Sequence, residues 1–197
     1  MQMTPCDSAK ESITIATNEL DLDLVSMNAE FLQAMMDGQG KSGAGYKNVK
    51  FWKDWTLEAD PTIRVRLLQL QTMPELQPWL LRAIVRQSDR QMVGHVGFHT
   101  PPSPQYLQDI APYGVEIGYS TFRPYRRCRY ASTSVSALIN WAQSNHGVNE
   151  FVASINRENL ASKALAAKIG FKLVHDFLSD DPDQEDLYLL RIPANES

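Results

Sequence analysis

The stretch "EIGYSTFRPYRRCRYASTSVSALINWA", residues 116–142, contains the three patterns that decide the fold. It starts as an alternating strand and ends in a helix that begins near Ala131. Between them lie four arginines in seven positions: Arg123, Arg126, Arg127 and Arg129. A strand, a short loop and a helix in this order bring the first amides of the helix to the loop. Unpaired amides, the helix dipole and guanidinium groups together predict an anion site that fits a diphosphate.

The arginines stand out because the rest of the chain is acidic. The 197 residues carry a formal net charge of −4, with a pI near 5.6, which argues against nucleic-acid binding. The residues alone leave an alternative to the diphosphate site open. The arginines could form a solvated basic patch, paired with the acidic stretch from Asp176 to Asp186.

Length and composition indicate one globular domain. Residues 1–12 are polar and predict a disordered tail, and residues 13–197 then form the domain. No apolar run reaches the length of a membrane span and no signal peptide is visible, so we expect a cytoplasmic protein that does not bind membranes. Cys6 and Cys128 cannot build a disulfide framework and are expected to be reduced thiols.

Hydrophobic periodicity predicts the elements. Alternation around Leu22 indicates a strand, Asn28 starts a helix that Gly38 stops, and a further helix starts at Asp60 with Pro61 in its first turn. A strand hairpin follows, then the stretch quoted above, a strand, a helix from Asn159 to Gly170, and two last strands. The hairpin occupies residues 78–86 and 91–100, and the later strands occupy 115–122, 151–155, 171–174 and 186–192. This order predicts an α/β (α+β) fold, with a mixed, mostly antiparallel sheet of about seven strands flanked by helices.

Two consecutive segments also resemble a known family. The opening stretch is followed by "GVNEFVASINRENLASKALAAKIGF", residues 147–171. Together they resemble the acetyl-coenzyme A site of the GNAT superfamily of N-acetyltransferases, and are most similar to the branch of ribosomal-protein N-terminal acetyltransferases. The resemblance covers roughly residues 92–175, and it implies a GNAT-like fold with acetyl-coenzyme A as co-substrate.

The resemblance implies a coenzyme site. In the family, a loop with glycines binds the pyrophosphate through backbone amides, and the end of a strand splays from its neighbour to pair with pantetheine. Here Arg129 replaces the central glycine, and an arginine can still donate its amide there if its φ stays negative. Asn159 matches a residue that touches pantetheine, although it also fits a plain helix N-cap. The implied coenzyme-binding residues are Thr121, Phe122, Arg126, Arg127, Cys128, Arg129, Tyr130, Ala131 and Asn159.

Acetyl transfer to an amine needs a proton acceptor and a group that stabilises the leaving thiolate. The resemblance implies Glu116 as the base, acting through water, and burial is expected to raise its pKa. An exposed carboxylate that faces the other way is the alternative. The resemblance implies Ser162 as the group at the leaving thiolate, in place of a tyrosine that many family members carry at the position of Ala166. Tyr119 should share a strand face with Val115 and Ile117, by alternation.

The resemblance therefore implies an enzyme that moves an acetyl group directly to a primary amine. Small-molecule amines, protein N-termini and lysines all stay open as acceptors, and a homodimer is one option for the assembly. No metal is expected, because His95 and His99 lie roughly 13 Å apart on a strand, and both are interpreted as structural. The alternative is a non-catalytic acyl-coenzyme A binding or regulatory module, which the missing tyrosine and Arg129 favour.

Overall fold

A computed structural model describes residues 14–17, 20–37, 48–51, 55–175 and 185–193. These ranges form one eight-stranded sheet and four α-helices. The strands are β1 (Thr14–Ala16), β2 (Leu22–Ser26), β3 (Arg82–Arg86), β4 (Gln91–Phe98), β5 (Val115–Thr121), β6 (Glu150–Asn156), β7 (Lys172–His175) and β8 (Glu185–Arg191). The helices are α1 (Ala29–Met36), α2 (Trp55–Thr72), α3 (Tyr130–His146) and α4 (Leu160–Ile169). The predicted mixed architecture is confirmed, and the sheet has one strand more than expected.

The additional strand arises at the N-terminal end of the sheet. The sequence predicted a single strand before α1, but the chain turns back after Ala16, and β1 pairs with β2 in antiparallel register. The amide of Thr17 donates to the carbonyl of Leu22 at 3.1 Å, which closes this turn. Asn28 starts α1 as predicted, since its Oδ1 accepts from the amide of Phe31 at 2.9 Å. The predicted stop at Gly38 lies outside the described residues.

The start of helix α2 differs from the predicted start at Asp60. The helix begins at Trp55 and carries Pro61 in its interior. Proline removes one amide donor, but Ile63, Leu67 and Leu70 are all buried at helical spacing. Burial of this stripe against the sheet stabilises the helix on the far side of the proline.

The strand order is β1-β2-β3-β4-β5-β6-β8-β7, and β5 and β6 form the one parallel pair in this described sheet. Their ladder is short, because only Val115 pairs with Phe151 and Glu116 with Val152. Beyond these pairs the two strands diverge, although β5 continues to Thr121 and β6 to Asn156. The predicted splay is confirmed, and it opens a cleft through the sheet, here called the split.

Two apolar clusters cover the opposite faces of the sheet. One packs α1 and α2 against it, and the other packs α3 and α4. In the second cluster the ring of Phe98 lies 5.7 Å from Trp79, 6.4 Å from Trp141 and 6.3 Å from Phe151. These rings hold α3 against β4 and β6 through Trp141, in the C-terminal half of the helix. None of the helices in the described ranges is long and apolar enough to cross a membrane.

Candidate active site

The arginine loop, residues 123–129, ends at the first turn of α3. Arg127 and Arg129 both adopt left-handed backbone conformations, with φ of 64° and 62°, and Arg129 is the N-cap of α3. The amides of residues 127–132 have no backbone acceptor within the described part of the chain. A left-handed residue next to a helical or extended one turns successive backbone amides toward one concavity. This is the geometry of an anion-binding nest. The loop therefore offers an anion both its own amides and those of the first turn of α3.

The backbone at Arg129 differs from the expectation of a negative φ. The chain must turn sharply to enter α3, and a positive φ achieves that turn even with an arginine side chain. A residue with a Cβ in this conformation carries roughly 1 kcal/mol of strain that glycine does not. Arg129 thus holds a conformation that glycine adopts more readily, at a cost in stability.

We expect Arg129→Gly to raise the free energy of unfolding by roughly 1 kcal/mol, because it removes this strain while keeping the amide. Urea denaturation measures the change. Arg126→Gly is the matched control, since Arg126 has a φ of −68°, and glycine there should lower stability. Equal effects of the two substitutions would contradict the left-handed assignment at Arg129.

The side chains of the loop are mostly exposed. The Nε of Arg126 donates to the carbonyl of Thr121 at 3.1 Å and so ties the loop to the end of β5. The acidic partner considered above is engaged elsewhere. Asp186 accepts from Lys163 at 2.6 Å and from Arg157 at 3.3 Å, and residues 176–184 lie outside the described ranges. Asp186, at the end of the acidic stretch, therefore pairs with basic residues outside the arginine loop.

One cavity, here called the loop compartment, has a volume of about 590 Å³. Most of the predicted coenzyme residues line it: Thr121, Arg126, Arg127, Cys128, Arg129, Tyr130, Ala131 and Asn159. The Oγ1 atom of Thr121 is buried and has no hydrogen-bond partner among the described residues. A buried hydroxyl without a partner is costly, so this atom is suited to bond a ligand.

Phe122 does not reach the loop compartment. Its side chain is fully buried in the cluster under α1 and α2. Its amide donates to the carbonyl of Val93, and its carbonyl accepts from the amide of Tyr125. The prediction of Phe122 as a coenzyme contact is corrected, because alternation along the chain turns this side chain into the core and its backbone groups are already paired.

The second cavity, here called the histidine compartment, has a volume of about 540 Å³ and lies at the split toward α2. Its lining includes Arg66, His95, His99, Ser154 and Glu185. Four residues line both compartments: Tyr119, Ser120, Asn159 and Ser162. An extended ligand held at the arginine loop can therefore reach the histidine compartment through the split.

Glu116 is buried behind this lining, with 8% of its surface exposed. Its Oε1 accepts from Ser154 Oγ at 2.5 Å, and its Oε2 lies 3.1 Å from His99 Nδ1. Burial favours a higher pKa of the Glu116 carboxyl, but hydrogen bonds from His99, Ser154 and Tyr106 together hold the pKa below its usual value. The predicted rise in pKa is therefore wrong, and Glu116 is a carboxylate at neutral pH.

His99 is the site residue that sequence reasoning missed. Its amide donates to the carbonyl of Glu116 at 2.9 Å, which extends the β4–β5 ladder by one residue beyond the pairing of Phe98 with Ile117. This cross-strand position brings the imidazole to the carboxylate. The signal in the sequence was the register of β4 against β5. The loop between these two strands hides that register from any local pattern.

The start of α4 forms the opposite wall of the split. Asn159 is confirmed as the N-cap, since its Oδ1 accepts from the amide of Ser162 at 3.1 Å. The hydroxyl of Tyr119 donates to the carbonyl of Ser162 at 3.3 Å, and Tyr119 packs on the same core face as Val115 and Ile117, as predicted. The Oγ of Ser162 has no hydrogen-bond partner in the described part of the chain, so it is available to a ligand.

Comparison with known proteins agrees with this geometry. Residues 46–172 match the model of the acetyltransferase (GNAT) domain. The chain is 27% identical over 164 residues to "Uncharacterized N-acetyltransferase YjdG" of Bacillus subtilis, covering 83% of this chain and 92% of that protein.

Two solved structures share the fold. One is an acetyltransferase from Agrobacterium tumefaciens, with a TM-score of 0.59 and 18% identity over 93% of this chain and 96% of that chain. The other is the ribosomal L7/L12 alpha-N-protein acetyltransferase RimL in complex with coenzyme A, with a TM-score of 0.59 and 18% identity over 91% and 98% of the respective chains.

Fold and site together define an acyltransferase, and the chain belongs to the acetyltransferase (GNAT) domain family. Membership implies acetyl transfer from acetyl-coenzyme A.

Proposed function

We propose that the protein transfers the acetyl group of acetyl-coenzyme A directly to a primary amine. The observation that carries this proposal is the split between β5 and β6, which joins the amides of the arginine loop to the histidine compartment. A diphosphate at one end and a reacting amine at the other fit these two compartments. Acetyl-coenzyme A supplies the activated acetyl thioester when bound.

The coenzyme fits the groups that the loop compartment leaves unpaired. The amides of residues 127–132 would hold the diphosphate, and the exposed guanidiniums of Arg127 and Arg129 would add charge-assisted bonds. Thr121 Oγ1 and Asn159 face the course that pantetheine would follow along the split. RimL, which shares the fold, was solved in complex with coenzyme A.

The charges of the histidine compartment favour a cationic acceptor. Glu116 is ionised, and Glu185 adds a second carboxyl to the lining, while the Arg66 guanidinium donates to the carbonyl of His99. An acceptor amine arrives mostly as ammonium at neutral pH, and this acidic end attracts it. A peptide N-terminus, a lysine side chain and a small polyamine all meet this requirement.

The chemistry then needs a route for protons. An ammonium must lose a proton before its nitrogen can attack. The Glu116 carboxylate, together with the His99 imidazole paired with it, would accept this proton. The free Oγ of Ser162 would hydrogen-bond the leaving thiolate at the start of α4. The roles of Glu116 and Ser162 are inferred from their positions in the split, and substitution of each residue can test them.

An amine panel tests the proposal. We expect purified protein with acetyl-coenzyme A to release thiol only when a suitable amine is added, and mass spectrometry should show the acetylated amine. The panel contains a peptide with a free N-terminus, the same peptide N-terminally blocked but carrying lysine, and a polyamine. Coenzyme A binding without acetylation of any amine would instead indicate a non-catalytic acyl-coenzyme A binding module.

A further inference from the structure

We infer that His99 is the catalytic base, taking the proton of the acceptor amine on Nε2, and that Glu116 is a positioning residue that acts through His99. This inference rests on the proposed function and deepens it. It also moves the role of base away from Glu116, the residue that the family resemblance suggested.

The first argument is the arrangement of the carboxylate. Glu116 Oε2 lies 3.1 Å from His99 Nδ1, and Oε1 accepts from Ser154 at 2.5 Å. A carboxylate held in this way keeps the hydrogen of the imidazole on Nδ1, and that leaves the lone pair on Nε2. Glu116 thus fixes both the tautomer and the orientation of the ring.

The second argument is access. The side chain of His99 is 36% exposed, against 10% for Glu116, and His99 lines the histidine compartment. Its Nε2 lies directly over Gly118, since a Cβ added to Gly118 would be 2.8 Å from that nitrogen. Gly118 is two residues beyond Glu116, the last β5 residue in the ladder with β6. Nε2 therefore lies where the split begins, and Gly118 provides the room for it.

The third argument concerns the neighbouring charges. From α2, Arg66 donates to the carbonyl of His99 at 3.3 Å, which directs this cation at the backbone and not at the ring. From β8, Glu185 interacts electrostatically with His99. From β4, His95 faces the same compartment, but burial and then Arg66 lower its pKa to about 4. His95 is consequently a weak base, and it is His99 that is paired with a carboxylate.

The acceptor starts as an ammonium. One proton moves from its nitrogen to Nε2 of His99, while the proton on Nδ1 stays hydrogen-bonded to Glu116. The neutral nitrogen forms a bond to the acetyl carbon, the carbon–sulfur bond breaks, and the electron pair leaves with the sulfur. The nitrogen then loses its second proton to the resulting thiolate, and the imidazolium returns the first proton to solvent.

The test compares His99→Gln and Glu116→Gln with His146→Gln, the same type of change at an exposed histidine at the C-terminal end of α3. We expect His99→Gln to lower kcat/KM for the amine on the order of 100-fold. It should also remove the acid limb of the wild-type pH–rate profile, because the group that must be deprotonated is then absent. Coenzyme A affinity should stay unchanged in all three variants.

Glu116→Gln separates positioning from direct catalysis. If Glu116 acts through His99, its neutralisation lowers kcat while the acid limb of the pH–rate profile persists, because His99 is still present to accept the proton. If Glu116 were itself the base, its neutralisation would remove that limb. Gly118→Ala provides a second route, since its Cβ should displace Nε2 and lower kcat while leaving coenzyme A affinity unchanged.

Full activity and an unchanged pH profile in His99→Gln would overturn the inference, as would a loss confined to Glu116→Gln. If His99→Gln does not fold, an unaltered kcat in Gly118→Ala overturns it equally. Failure of the proposed function is distinguishable, because the wild type itself would then acetylate no amine in the panel.

Discussion

Coenzyme A affinity should fall on the order of 100-fold when Arg126, Arg127 and Arg129 are all replaced by glutamine. Each guanidinium adds a charge-assisted interaction with the diphosphate, and solvent exposure limits each to about 1 kcal/mol. The backbone amides of the loop remain in this variant, so binding should weaken and not disappear. Isothermal titration with coenzyme A at low and moderate ionic strength measures the loss, which should shrink as salt screens the charges.

A matched variant controls for net charge. Lys168, Lys172 and Arg191 lie outside both compartments, and their replacement by glutamine removes the same three charges. We expect this control to change coenzyme A affinity less than threefold. Equal losses in the two variants would mean that overall charge attracts the coenzyme and that the arginine loop is not its site.

Phe98→Ala should lower the free energy of unfolding by about 3 to 5 kcal/mol. The ring of Phe98 is fully buried, and it contacts aromatic rings that come from the segment before β3, from α3 and from β6. Its removal leaves a cavity where α3 meets the sheet, so coenzyme A affinity should fall as well. Urea denaturation measures the first effect, and titration at a temperature where the variant stays folded measures the second.

Leu68→Ala is the control for this core substitution, because Leu68 is 66% exposed on α2. Its effect on stability should stay within about 0.5 kcal/mol. A loss below about 1 kcal/mol in Phe98→Ala would contradict the packing of α3 described above. A large loss of stability with unchanged coenzyme A affinity would show that the rings stabilise the fold without positioning the N-terminus of α3.

Local patterns predicted the elements that form the coenzyme site. The strand, arginine loop and helix of residues 115–146 follow from alternation, charge and helical spacing, all of which act between near neighbours. The caps at Asn28, Asn159 and Gly170 were predictable for the same reason, since each cap bonds a backbone group three or four residues away. Local chemistry was sufficient at these caps, whereas the predicted start of α2 at Asp60 was wrong although it also depended on a local signal.

Prediction was incomplete where a contact spans strands. The pairing of His99 with Glu116 depends on the β4–β5 register, which no single segment encodes, and the pKa of Glu116 was misjudged because its hydrogen-bond donors come from distant segments. Phe122 was assigned to the site although its side chain belongs to the opposite core. The left-handed backbone of Arg129 was hidden because an arginine gives no sign of a positive φ.

A crystal structure of the complex with coenzyme A tests the central claim most directly. The account predicts diphosphate oxygens within about 3.2 Å of the amides of residues 127–132, and the pantetheine arm lying between β5 and β6. A diphosphate bound elsewhere on the surface, with no pantetheine in the split, would contradict it.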